Sequence, residues 1–279
     1  MYAIDAGVIS TKDIASSWQG LNWRTAPGGV SIIVDGQRSV RVTHKGHILA
    51  FDCTSDEFAS HWYNYFNMGY DHDAALDVLT DIGGVVARHI KAHPGVRIVR
   101  KDPFEALLYG ALVSWTKRTY YEAGRVMRVL QNGFGDKKRG GMADSGIVTR
   151  RLFPRPDAVA SSGNVLEDYT TEGIAPLVVE LARDVRDGWL DPCDLSEAAN
   201  DFPYLDPLAV DLATLYRDGS LDHLPPDSDV RSFLRHRYGI DDDIFVDWYL
   251  AGSEQFSGLL YQHALCCMLE RRGWDGPDC

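Results

Sequence analysis

The side chains that could do chemistry are distributed unevenly along this sequence. Its five cysteines, Cys53, Cys193, Cys266, Cys267 and Cys279, are odd in number and contain no Cys-x-x-Cys pair. Their spacing signals no disulfide framework, zinc site or iron–sulfur cluster, so neither a metal nor a cofactor is expected. Among the carboxylates, Asp227 closes Leu224-Pro225-Pro226-Asp227 and precedes an apolar-periodic run from Val230 to Leu234, the local pattern of a helix N-cap. Cations gather elsewhere. Lys137-Lys138-Arg139 in a glycine-rich stretch and the Arg150-Arg151 pair could meet phosphate, although a solvated loop explains each taken singly.

The chain has 279 residues, 45% hydrophobic and 24% charged, enough for a sizeable core in one large domain or two interlocked ones. That composition excludes a disordered or collagen-like chain. With 28 Lys and Arg against 40 Asp and Glu, the net charge of -12 argues against generic nucleic-acid or membrane-surface binding through bulk charge. The charge is segregated, however: residues 1–87 carry 5 basic and 10 acidic side chains, residues 88–155 carry 15 and 5, and residues 156–279 carry 8 and 25. The start, Met1-Tyr2-Ala3-Ile4-Asp5, has no basic region followed by an apolar one, and no stretch approaches the ~20 apolar residues of a membrane span. The expectation is a soluble protein of a reducing, cytoplasmic compartment that does not engage a membrane.

The elements that must position these groups fall into two parts. From Val30 to Asp52, β-branched runs flank Asp35-Gly36 and follow Lys45-Gly46, which reads as an antiparallel sheet ending near Cys53. Beyond it the period is helical. One helix is expected from Asp73 to His93, and a second opens at Asp102-Pro103 with Pro at its first position. Further helices are expected over 119–133, 172–188, 195–200, 206–217, 228–238 and 243–271, and Gly135 to Asn164 reads as a loop.

Several segments, in this order, carry a resemblance. They are Gln19 to Thr25 (QGLNWRT), Trp62 to Asp73 (WYNYFNMGYDHD), Gly95 to Leu108 (GVRIVRKDPFEALL), Phe153 to Ala160 (FPRPDAVA), Leu181 to Asp191 (LARDVRDGWLD) and Leu224 to Gly239 (LPPDSDVRSFLRHRYG). Together they resemble the helix-hairpin-helix DNA glycosylases of the 8-oxoguanine glycosylase type. The resemblance implies an α+β fold: a small N-terminal antiparallel β-sheet domain, residues 1–62, then a mainly α-helical glycosylase-like domain, residues 63–279, with a cleft between helical subdomains. The hairpin and catalytic-aspartate segment would lie at about 202–230. In such enzymes a target nucleotide is flipped into the cleft and its base–sugar bond is broken.

By that resemblance Asp227 falls on the catalytic aspartate, whose carboxylate stabilises the oxocarbenium-like sugar and orients water. Leu208 stands where bifunctional members keep a nucleophilic lysine. With no amine to form a Schiff base, a monofunctional hydrolase without lyase chemistry is implied. Trp115, Lys117 and Arg118, in Ser114 to Tyr121 (SWTKRTYY), occupy the segment that fills the gap left by a flipped base, though a helix end explains them as well. Gln255 could read a base edge and Tyr261 or Phe256 stack on its face, within Ala251 to Ala264 (AGSEQFSGLLYQHA), while Trp18 replaces a small residue that leaves room to sense 8-oxoguanine.

The sequence also departs from the family pattern. Tyr204 and Asp206 replace hairpin glycines whose amides approach phosphate, Asp229 replaces a frequent histidine, and Ile174-Ala175-Pro176 replaces a Tyr-Arg-Ala element. The leading expectation is an N-glycosidase acting on a damaged or modified base in DNA. Two alternatives stand beside it: a base-releasing or base-modifying enzyme acting on a free nucleoside or nucleotide or in a base-hypermodification pathway, and a DNA- or protein-binding homologue without catalysis.

Overall fold

The computed structural model describes residues 1–5, 9–17, 19, 23–26, 29–117, 120–143, 146–239 and 254–271. An antiparallel sheet of five strands comes first: β1 (Tyr2–Asp5), β2 (Arg24–Ala26), β3 (Val30–Asp35), β4 (Arg38–Lys45) and β5 (Ile48–Phe51), with α1 (Thr11–Ser16) between β1 and β2. The spatial order is β1-β5-β4-β3-β2. The β3–β4 hairpin pairs Asp35 with Arg38 around Gly36, whose φ of 50° suits the turn that the Asp-Gly signal predicts. Residues Ile33, Val40, Leu49 and Phe51 bury one face of the sheet against Trp62, Phe66 and Val99, so its core draws on residues beyond position 62.

The remainder is mostly helical. After a short helical stretch, α2 (Ser55–Glu57), a π-turn at Phe58–Trp62 and α3 (Tyr63–Tyr65), come α4 (His72–Asp81), α5 (Gly84–Ala92), α6 (Pro103–Trp115) and α7 (Tyr120–Phe134). A hairpin of β6 (Lys137–Ala143) and β7 (Gly146–Arg151) precedes α8 (Pro156–Ala160), α9 (Gly163–Glu167) and α10 (Ile174–Arg186). Then follow α11 (Ala198–Asp201), α12 (Pro207–Asp218), α13 (Ser228–Tyr238) and α14 (Ser257–Arg271). Among the described residues no helix is long and apolar enough to cross a membrane.

Two expectations need correction. The single helix from Asp73 to His93 is two, because Gly83 and Gly84 take φ of 77° and 64°, left-handed angles that an α-helix cannot contain. The Tyr238 hydroxyl closes that break, donating to the Gly83 carbonyl at 2.8 Å and accepting from the Val86 amide at 3.2 Å. The second correction is Gly135 to Asn164, which forms the β6–β7 hairpin and two short helices rather than a loop. Arg150 holds that hairpin to the first sheet through a 2.6 Å ion pair with Asp52, and Arg151 donates to the Gly135 carbonyl at 3.1 Å. Of the proposed 243–271 helix, residues 243–253 lie outside the described residues and Ser257–Arg271 is helical.

The segments around Gln19 and Gly95 meet at the joint between sheet and helices. Gln19 is buried, its Nε2 donating to the Arg97 carbonyl and its Oε1 accepting from the Val99 amide, both at 2.6 Å. Trp23 Nε1 donates to the Tyr65 hydroxyl at 2.8 Å. Asp35 accepts from the Asp102 amide at 2.6 Å, and Asp102 caps α6 through the amides of Phe104 and Glu105. One turn into α6, Glu105 is fully buried and paired with Lys101 at 2.7 Å. Burial pushes the Glu105 carboxyl up and the Lys101 charge pulls it back.

Candidate active site

Asp227 follows Leu224-Pro225-Pro226, its amide donating to the Pro225 carbonyl at 2.8 Å, and caps α13, as its local sequence predicts. Its Oδ1 accepts from the amides of Asp229 at 2.9 Å and Val230 at 3.2 Å. This places the carboxylate on the positive end of the helix, which favours its charge. The other oxygen faces inward. Oδ2 accepts from the Tyr120 hydroxyl at the start of α7 and from the Tyr261 hydroxyl on α14 at 3.1 Å. The two hydroxyl oxygens are themselves 3.1 Å apart, so carboxylate and phenols form one closed triangle.

Burial pushes both hydroxyls well above the usual tyrosine range, with the Asp227 charge adding to it, so both remain protonated donors. Tyr109 and Tyr216, ring centroids 5.3 Å apart, are raised by burial too, and Tyr216 donates to Gln262 Oε1 at 2.8 Å. Asp227 is 0% exposed. The carboxylate is therefore oriented and solvated by the protein, and a sugar carbon could reach Oδ2 only where a phenol now sits. Tyr120 is the group that sequence reasoning missed; its only signal is the Tyr120-Tyr121 pair following the cations.

Leu208 lies in the first turn of α12, 4% exposed in the apolar core, and places no amine there. The α11–α12 connection, Phe202 to Asp206, is the expected hairpin segment. Asp206 caps α12, one carboxylate oxygen accepting from the Ala209 amide at 2.8 Å and the other from Ser114 Oγ at 2.7 Å. A helix N-terminus of this kind ordinarily attracts an anion; here an exposed side-chain carboxylate already occupies it. Tyr204 donates to Asp184 Oδ2 at 2.5 Å, and its carbonyl accepts from Trp115 Nε1 at 2.7 Å. The hairpin and the end of α6 are thus tied to each other by Ser114 and Trp115.

Trp115 is half-buried, with its ring set edge-on to Tyr204 at 6.3 Å, so it serves as packing between these loops. Lys117 differs: it is exposed and takes φ of 52°, a left-handed angle uncommon for a residue with a side chain. Arg118 and Trp18 lie outside the described residues. Gln255, in the turn Glu254–Phe256 that leads into α14, is exposed, and Phe256 is half-buried against the core. Tyr261 is fully buried and presents no face to a base. Of the cations, Lys137 and Lys138 are exposed on β6, whereas Arg150 is 6% exposed and committed to Asp52. Asp229 is half-buried in the first turn of α13.

Comparison with known proteins agrees with this layout. Residues 2–107 match the family described as 8-oxoguanine DNA glycosylase, N-terminal domain. Among curated protein sequences none matches the chain significantly. Similar solved structures cover nearly the whole chain. The structure of MBOgg1 in complex with a low-affinity DNA ligand superposes with a TM-score of 0.80 at 21% identity, covering 97% of this chain and 96% of that one. The Clostridium acetobutylicum 8-oxoguanine glycosylase/lyase, in complex with double-stranded DNA containing cytosine opposite 8-oxoG, gives 0.76 at 19% identity, covering 95% and 93%. The 3-methyladenine DNA glycosylase from Archaeoglobus fulgidus gives 0.70 at 14% identity, covering 95% and 98%. The chain thus shares the fold of these solved structures over nearly its whole length, and the family match covers residues 2–107.

Proposed function

We propose that this protein is an N-glycosidase of the DNA-glycosylase kind, hydrolysing the bond between a damaged or modified base and its sugar by means of Asp227 and water. The observation that carries this reading is a fixed carboxylate at the N-terminus of α13, held by two amides and two phenols. Breaking an N-glycosidic bond places positive charge on the sugar, and an oriented carboxylate that needs no reorganisation stabilises it. Leu208 supports a reaction without a Schiff base, since no amine stands at that position. For substrate to meet Oδ2, the Tyr120 hydroxyl must turn away, so nucleotide entry and release of Tyr120 belong to one step. In this reading residues 1–62 form the sheet unit and residues 63–279 the glycosidase unit. The exposed Lys117, Lys137 and Lys138 give duplex a one-sided grip, and Gln255 is the exposed group near the base.

The test is release of free base, followed by mass spectrometry over a panel of lesion-containing duplexes and modified nucleotides. Asp227→Asn should lower release by about 100-fold or more, the order expected for removing such a group. Borohydride should trap no adduct. Duplex affinity should fall steeply with salt. A second reading, a DNA-binding homologue without catalysis, is favoured by one observation: Oδ2 is already occupied by two phenols. It predicts salt-dependent duplex binding with no base released from any substrate, and identical behaviour of Asp227→Asn. Release from free nucleotides with no duplex binding at low salt would instead assign the small-substrate alternative.

A further inference from the structure

Away from Asp227, α5 and α14 bring three donor side chains to the wall of a surface cavity of about 240 Å³. His89 lies in the last turn of α5 and His93 four residues on, at its C-cap, a spacing that puts both rings on one helix face. Glu270 lies at the end of α14. His89 Nε2 is 3.4 Å and His93 Nε2 3.5 Å from the same oxygen, Glu270 Oε1. One ligand atom from each of the three lies within 4.8 Å of the others. Contacts of 3.4–3.5 Å are long for N–H···O hydrogen bonds. They are, however, the spacing of a coordination shell: ligands about 2.1 Å from one tetrahedral ion stand roughly 3.4 Å apart.

The surroundings of these donors argue the same way. His89 Nδ1 is 2.9 Å from Nδ1 of His263, a fully buried residue on α14. One of those two nitrogens must carry the hydrogen. With it on His89, the ring donates to His263 and keeps the Nε2 lone pair directed at Glu270, which is how an outer hydrogen bond fixes a metal-binding histidine. The far side of His93 is placed similarly, with Nδ1 3.4 Å from Asp13 Oδ1. Arg88 and Arg271 also line the cavity and oppose a cation, against the Glu270 and Asp13 carboxylates.

We propose that His89, His93 and Glu270 form a binding site for a divalent transition-metal ion of the zinc type, its fourth position open to the cavity, with His263 as a positioning residue. Two imidazoles and one carboxylate with an open place form the donor set of a three-ligand zinc site. The ion would join α5 to α14, the helix whose Tyr261 hydroxyl donates to Asp227.

The test uses the full chain stripped of metal by a chelator and titrated with Co2+, whose tetrahedral complexes absorb visibly. One Co2+ per chain is expected, with a tetrahedral spectrum and displacement by Zn2+. His93→Ala and Glu270→Gln alter side chains that are 33% and 50% exposed, so both should fold and keep the metal-free Tm. Each should weaken Co2+ by at least about tenfold. Three results overturn the proposal: affinity equal in wild type and both variants, the spectrum of a six-coordinate ion, or a thiolate-to-metal band placing the ion on a cysteine such as Cys267, which lines the same cavity, or the exposed Cys193.

Discussion

Among the described residues two carboxylates, Glu105 and Asp227, have no solvent exposure, and they are held in opposite ways. Glu105 sits at the joint between sheet and helices and is neutralised by Lys101, at 2.7 Å and one turn away on the chain. Asp227 is embraced by hydroxyls and backbone amides brought from α7, α13 and α14. A buried charge beside a fixed opposite charge is a fastener: it has one good state, and loss of either partner leaves the other stranded. A carboxylate held by hydroxyls and amides has no opposite charge fastened to it, although turning a buried hydroxyl away from it costs about 1–3 kcal/mol. The Gly95 to Leu108 segment thus builds the joint, while Tyr204 and Asp206 lie in the α11–α12 connection beside the end of α6 and Leu208 in the first turn of α12.

The contrast can be broken most forcefully at the fastener. Lys101→Met leaves Glu105 without its cation and should cost about 3–5 kcal/mol in denaturant-measured stability, whereas Lys101→Met combined with Glu105→Leu should restore much of it. If the single variant is as stable as wild type, the two carboxylates are not different in kind. A pH titration comes next. Burial and Arg97 push His72 down to about 4, while its Nδ1 accepts from the Tyr70 hydroxyl at 2.9 Å and its Nε2–H donates to the Pro94 carbonyl at 2.8 Å. Because the unfolded imidazole titrates near 6.5, the unfolded state takes up more protons below that pH. Stability is therefore full above about 6.5 and should decline by up to about 3 kcal/mol as pH falls to 4. His72→Gln should flatten that slope, as followed by urea midpoints across the range.

Smaller effects sharpen the other side. Asp227→Ala removes the α13 cap and leaves two phenols unsatisfied, which should cost about 1–3 kcal/mol, less than the fastener, while Tyr261→Phe should cost about 1 kcal/mol. Equal losses at Asp227 and Lys101 would erase the distinction. At the end of α6, Lys117→Gly relieves a left-handed backbone and should stabilise by about 0.5–1 kcal/mol in thermal melts. If duplex affinity falls in the same variant, Lys117 belongs to the proposed DNA contact. Unchanged affinity would remove Lys117 from the proposed DNA contact.

The sequence exposes features whose causes are local. The hairpin at Asp35-Gly36, the start of α6 at Asp102-Pro103 and the cap at Asp227 each occupy a few consecutive residues and are legible there. Strands β1 and β2, four and three residues long, are too short to show alternation, and their pairing comes from the rest of the sheet. The helix over 73–93 misled because its apolar period continues across Gly83 and Gly84 while the backbone does not. The enclosure of Asp227 could not be read at all: its partners lie 107 and 34 residues away. His89 and His93 lie together at the end of α5, but Glu270 is on α14, so their grouping is not legible along the chain either.

Gly110 has a wider consequence than its size suggests. A Cβ there would lie 2.3 Å from the Ala209 carbonyl, so α6 and α12 touch backbone to backbone. One turn further on, the same pair of helices is joined by Ser114 to Asp206 and by Trp115 to Tyr204. The positions that distinguish this hairpin are therefore hung from a spacing that tolerates only hydrogen. Glycine at 204 and 206 would remove the α12 cap, the Ser114 link and the Tyr204–Asp184 hydrogen bond while leaving the α6–α12 spacing, whereas any side chain at 110 pries apart the end of α6 and the hairpin together.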